Sequence, residues 1–126
     1  MKKLMKKNSE LALMLRQLTP ILSQRNRLGY VAARNFRILS DALTEHHQFE
    51  MELIEKYGEP DKAEDGTELP TVSIKIGSPN FKQFCDEMAP YNNIEQEVEI
   101  MTAKFEDTDG VLSGEEIIGI DWMLED

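Results

Sequence analysis

"RNRLGYVAARNFRILSDALTEHHQFEMELIEKY", residues 25–57, is the longest periodic stretch of this 126-residue chain. Leu28, Ala32, Phe36, Leu39, Leu43, His46, Glu50, Leu53 and Tyr57 recur at intervals of three or four, and no proline interrupts them. That spacing predicts one helix carrying a mostly apolar stripe. A helix of about 30 residues runs about 45 Å, which is long for a chain of this size. Its stripe needs cover, either from a hairpin with the preceding helix or from another subunit. Phe36, Leu39 and Leu43 are therefore the partner-binding candidates, and self-association through this helix is the expectation.

Working outward, "SELALMLRQLTPILSQ" (9–24) reads as a preceding helix capped by Ser9 and broken near Thr19 by Pro20. On the other side, Gly58 is a natural helix stop, and "GEPDKAEDGTELP" (58–70) reads as an exposed polar loop. "TVSIKI" (71–76) alternates Val72, Ile74 and Ile76 with polar residues, so it predicts a strand with one buried face. "SPNFKQFCDEMAP" (78–90) predicts a short helix with Phe81, Phe84, Cys85 and Met88 on its apolar face. "EVEIMTAKF" (97–105) predicts a second strand, and "SGEEIIGIDWMLE" (113–125) a closing helix with Ser113 and Glu116 as a capping box. The expectation is a single α+β domain over 1–126. It comprises an N-terminal helical hairpin (1–57) with a long second helix, an exposed loop (58–70), and a small α+β part (71–126). That last part holds a two-stranded antiparallel sheet and two short covering helices.

Charge is divided unevenly. Residues 1–40 carry nine Lys/Arg and one Asp/Glu, and residues 41–126 carry five Lys/Arg and 23 Asp/Glu, within a net charge of −10. The basic segment can be complemented by the acidic remainder of the same or a neighbouring chain. The sharper alternative is phosphate contact through Arg27, Arg34 and Arg37, which are seven and three apart on one helix face, with Arg25 at its start. A net acidic protein repels nucleic acid at long range, so no tight binding of it is expected. No apolar run approaches the ~20 residues that span a bilayer. "MKKLMKKNSE" has the lysines of a signal peptide, but Arg16 and Gln17 break the segment after it, and no secretion signal is read. Cys85 is the one cysteine, so no intrachain disulfide forms, and a reducing compartment fits.

"FEDTDGVLSGEE" (105–116) is the one stretch offering specific chemistry. With Gly110 at the sixth position of a calcium loop, Asp107, Asp109 and Glu116 fall at positions three, five and twelve. The first ligand position holds Phe105, no helix is expected to enter the loop, and no second loop pairs with it. A turn at Asp-Thr-Asp-Gly followed by the Ser113–Glu116 capping box accounts for the same residues. His46 and Glu50, four apart, make at most two ligands. Cys85 is expected to pack as a small hydrophobe. No phosphate-binding Gly-rich loop and no Gly-x-Ser-x-Gly elbow is present. A non-enzyme without a cofactor is the expectation.

The order of elements, with "RNRLGYVAARNFRIL", "ELIEKYGEPDKAEDG", "NFKQFCDEM", "VEIMTAKFED" and "IIGIDWMLED", resembles a family of small uncharacterised proteins from phages and prophages of Gram-positive bacteria. The resemblance implies a phage setting in the host cytoplasm and brings no known catalytic residues. Three readings follow. The first is an accessory or assembly protein that binds protein. The second is an acidic inhibitor of a host defence nuclease, of the anti-CRISPR type. The third is a nucleic-acid binder using the basic N-terminal segment.

Overall fold

The computed structural model describes residues 1–125. In chain order the elements are β1 (Lys2–Lys7), α1 (Asn8–Leu18), α2 (Arg27–Ala42), α3 (Thr44–Tyr57), β2 (Glu59–Lys62), β3 (Glu68–Ser73), α4 (Phe81–Asn92), β4 (Glu95–Ile100), β5 (Ala103–Lys104), α5 (Gly114–Gly119) and β6 (Leu124–Glu125). Short 3₁₀ turns lie at Thr19–Ile21, Phe105–Thr108 and Asp121–Met123. They form two compact units, one of residues 1–43 together with 95 onward and one of residues 44–94.

The chain is α+β, but the expected layout is not the one adopted. The helix expected over 25–57 is two helices, because α2 stops at Leu43 (φ −95°, ψ 5°). No proline causes this. Leu28, Val31, Ala32, Asn35 and Leu39 on α2 are buried, and Leu43 closes the series at 6% exposure. Beyond it the stripe continues with His46 and Glu50, which offer no apolar surface, so the helix ends where its core contacts end. Leu39 and Leu43 therefore lie inside the first unit's core, with Phe36 packed against it, and do not form an open partner-binding face.

The single two-stranded sheet is also replaced. Among the described residues there are three small pairings: β1 with β4 and β2 with β3, both antiparallel, and β5 with β6, parallel. The lysine-rich start of the chain is a strand, which its own sequence pattern does not predict. Its register sets Leu4 against Val98 on one face, and Lys3 against Glu99 and Lys7 against Glu95 on the other. Opposite charges across a strand pair are favourable, but among the described residues the one ion pair of this strand joins Lys6 to Glu10 at 3.9 Å.

In the first unit, α1 ends at Leu18 and passes into the 3₁₀ turn containing Pro20, whose missing N–H cannot continue the ladder. Helix α2 starts at Asn26, whose Oδ1 accepts the Gly29 N–H at 3.3 Å. A Cβ on Gly29 would lie 1.9 Å from the Gln24 carbonyl oxygen, so only glycine allows the turn to approach here. Between β4 and β5 the chain breaks pairing at Met101. The fully buried Asn35 repairs the gap: its Nδ2 donates to the Met101 carbonyl at 2.9 Å, and its Oδ1 accepts the Met101 N–H at 2.7 Å. A side-chain amide thus stands in for a neighbouring strand.

In the second unit, the expected loop 58–70 contains most of a hairpin. Its turn is closed by Ala63 N–H to Thr67 O (2.8 Å) and Gly66 N–H to Ala63 O (2.9 Å). The Asp61 carboxylate accepts the hydroxyls of Thr71 and Ser73 and pins the irregular register. The strand expected over 71–76 ends at Ser73. Val72 is exposed and Ile76 is 87% exposed, so the predicted buried face does not form. Helix α4 buries Met88, while Cys85 is exposed, contrary to expectation. Cys85 keeps the same three- and four-residue steps to Phe81 and Met88, but the covered side of α4 runs through Phe84, Glu87 and Met88, which leaves Cys85 at its edge. The closing helix is likewise shorter than expected: α5 stops at Gly119, and a 3₁₀ turn and β6 follow.

Candidate partner-binding site

The stretch 105–118 that raised the calcium question forms a cleft of about 370 Å³ in the first unit. Phe105, Leu112 and Ile117 give it apolar walls, Glu106 and Asp109 give it carboxylates, and Thr108 lies in its lining. Phe105 is 49% exposed, and Val111 and Ile118 nearby are exposed too. Across 105–118 there are five Asp/Glu and no Lys or Arg.

Local rules build the cleft. Thr108 is buried and its hydroxyl donates to the Phe105 carbonyl at 2.7 Å, closing the 3₁₀ turn. The Asp107 carboxylate accepts the Lys104 N–H at 3.3 Å. Gly110 takes φ 69°, a left-handed conformation that a side chain would resist. Ser113 Oγ accepts the Glu116 N–H at 3.2 Å, and Glu116 Oε1 accepts the Ser113 N–H at 3.0 Å. Chain reversal followed by this capping box sets Leu112 and Ile117 against Phe105 across a gap.

The three metal candidates do not converge. Asp107 and Glu116 each serve a backbone N–H, and Asp109 faces the cleft. Among the described residues no group of three His, Cys, Asp or Glu is placed to hold a metal ion. His46 bonds through Nε2 to Asn92 Oδ1 at 2.7 Å.

The arginine candidates are brought together. Arg27, Arg34 and Arg37 are exposed along the solvent side of α2, and Tyr30, 55% exposed, falls in the same row. No motif marks Tyr30 or Ile117, and Leu112 suits the eighth position of a calcium loop as readily as the wall of a cleft. The available signal was apolar residues interleaved with carboxylates around a turn, at a spacing that suits neither helix nor strand.

Away from the cleft, the electrostatics are clearest at the hairpin. Hydrogen bonds from Ser73 and Thr71 hold the Asp61 carboxyl below its ordinary value, and those from Thr67 do the same for Asp65. No helix among the described residues is long and apolar enough to cross a membrane. No protein-family model, no curated protein and no solved structure matches this chain.

Proposed function

We propose that this chain acts by binding protein rather than by catalysis, and that the 105–118 cleft is where it binds. The observation that carries this is the cleft's composition: an exposed aromatic wall and half-buried aliphatic ones beside carboxylates, with no compensating cation in the stretch. Apolar area left in water forgoes roughly 25 cal/mol per Å², so the exposed ring of Phe105 gains by being covered. The single hydroxyl in the lining is already spent on the Phe105 carbonyl. The complementary partner is a basic segment with an apolar or aromatic anchor. The setting implied by the sequence resemblance, a phage or prophage accessory protein in the bacterial cytoplasm, is part of this proposal. Acidic residues are spread over α3, the β2–β3 hairpin, β4 and the 105–118 stretch. That dispersal favours a local contact over an acidic plug for a nuclease groove.

The test is a titration of isotope-labelled protein with a synthetic basic amphipathic peptide, beside an acidic peptide of the same apolar content. The basic peptide is expected to shift amide signals of residues 105–118, and Phe105→Ser to abolish the effect. Equal responses to both peptides, or shifts scattered outside the stretch, would overturn the reading.

A further inference from the structure

The basic, aromatic-bearing partner that the cleft calls for is present on this same chain. The exposed row of α2 presents Tyr30 with Arg27 before it and Arg34 after it, at helical steps of three and four. A tyrosine on a helix is an anchor of low conformational cost, and arginine pairs carboxylates in a planar fork. The cleft offers an apolar recess for the ring and Glu106 and Asp109 for the guanidinium groups. The one described ion pair within the chain joins Lys6 to Glu10 and uses none of these residues.

We propose that the cleft's occupant is helix α2 of a second copy of this chain, with Tyr30 seated between Phe105, Leu112 and Ile117 and with Arg27 and Arg34 facing Glu106 and Asp109. This rests on the reading of the cleft as a protein-binding site and names its partner. It places self-association on the solvent side of α2. The Leu39 and Leu43 side is consumed by the core. The contact joins two different patches. It therefore either closes a pair, if both patches of each copy engage at once, or propagates head to tail.

Sedimentation velocity on the full chain, at low and at high salt, tests the proposal. Self-association is expected at tens of micromolar, weakened about tenfold or more between 50 and 500 mM salt as the charges are screened. A helix-side variant, Tyr30→Ser with Arg34→Ser, is expected to be monomeric alone. So is a cleft-side variant, Phe105→Ser with Asp109→Asn. All four positions are exposed, so both variants should keep the native emission of Trp122, the chain's one tryptophan. The decisive arm mixes the two. Each retains the patch the other lacks, so the mixture is expected to give a one-to-one dimer. Wild-type protein that stays monomeric at hundreds of micromolar would overturn the proposal, as would a mixture that stays monomeric. If the basic peptide still binds the cleft in that case, the protein-binding reading stands and only the second copy falls. If neither binds, both fall. A single-stranded oligonucleotide that binds wild-type protein, but not the helix-side variant, while the protein stays monomeric would assign the arginine row to phosphate instead.

Discussion

The two units are held together by different means. Among its described residues the first buries fourteen hydrophobic side chains in one cluster contributed by α1, the turn at Thr19–Ile21, α2 with Leu43, β4, β5 and the C-terminal turns. Among the described residues of the second, two hydrophobic side chains are buried, Leu53 and Met88. Its other ties include the stack of Phe49 on Tyr91 at 3.7 Å, the His46–Asn92 hydrogen bond, and the bonds that Thr71 and Ser73 donate to Asp61. Burial removes apolar area from water and is worth more per residue than exposed hydrogen bonds, which merely exchange one partner for another. The first unit is thus the stable platform, and it carries both proposed binding patches. The second is the unit expected to open locally at lower free energy.

The same substitution made in each unit gives the largest contrast. Leu39 is fully buried among α2's core neighbours. Leu39→Ala leaves a cavity that close packing cannot fill, and about 3–5 kcal/mol of stability should be lost. Leu53 is also buried, but its unit offers few apolar neighbours, so Leu53→Ala should cost about 1–2 kcal/mol. Denaturation followed by backbone amide signals of each unit checks both values. Equal costs would show that the second unit is as well packed as the first.

Asn35 sharpens the comparison from the polar side. Asn35→Ala removes the donor and acceptor that serve Met101 and leaves that backbone N–H and carbonyl unpaired beside the core. About 2–4 kcal/mol should be lost, because an unmade hydrogen bond at a buried group costs its desolvation. Urea unfolding monitored by Trp122 reads this directly, since Trp122 belongs to the first unit and donates to Gln17 Oε1 and the Gly119 carbonyl. A loss below about 0.5 kcal/mol would mean that the break at Met101 is satisfied some other way.

What could be read in the sequence was local, and what could not was pairing at a distance. Pro20 placed the end of α1, and Ser113 with Glu116 placed the start of α5, because each rule acts within four residues. The strand at Lys2–Lys7 is defined by partners at 95–100, and nothing in "KKLMKK" names them. The β2–β3 hairpin looks like a loop in sequence because its first strand, Glu-Pro-Asp-Lys, has no alternating apolar pattern. Its register rests on Asp61 reaching Thr71 and Ser73, ten and twelve residues on. The helix break at Leu43 follows from where the first unit's core stops, a tertiary fact that overrides an unbroken helical period. For the site, the sequence supplied the turn and the arginine row. The cleft needs Phe105 and Ile117 brought together, and local pattern marks Phe105 only as the residue standing where a calcium loop needs its first ligand.

The smallest expected effect separates the units by pH. Asp61 and Asp65 both lie in the second unit's hairpin, and both are held below the ordinary carboxyl value, about 3.9, by hydrogen bonds to the charged form. A carboxyl whose folded value is depressed stabilises the fold at pH above its unfolded value. That contribution is lost as pH falls through the lower, folded value. The hairpin should therefore hold unchanged from neutral pH down to about pH 4 and weaken below it. Because Asp65 is exposed and Asp61 only half-buried, the loss should be small, seen as earlier exchange of the Thr71, Val72 and Ser73 amides rather than as unfolding. Asp61→Asn should flatten most of that pH dependence. It keeps the side chain's size and one acceptor oxygen, but lacks the charge that sharpens the bonds from Ser73 and Thr71. The first unit, whose core rests on apolar burial and the neutral amide of Asn35, should show no matching step over the same range. If acid loosened the β1–β4 strands before the hairpin, the Asp61 and Asp65 hydrogen bonds would not be what separates the units.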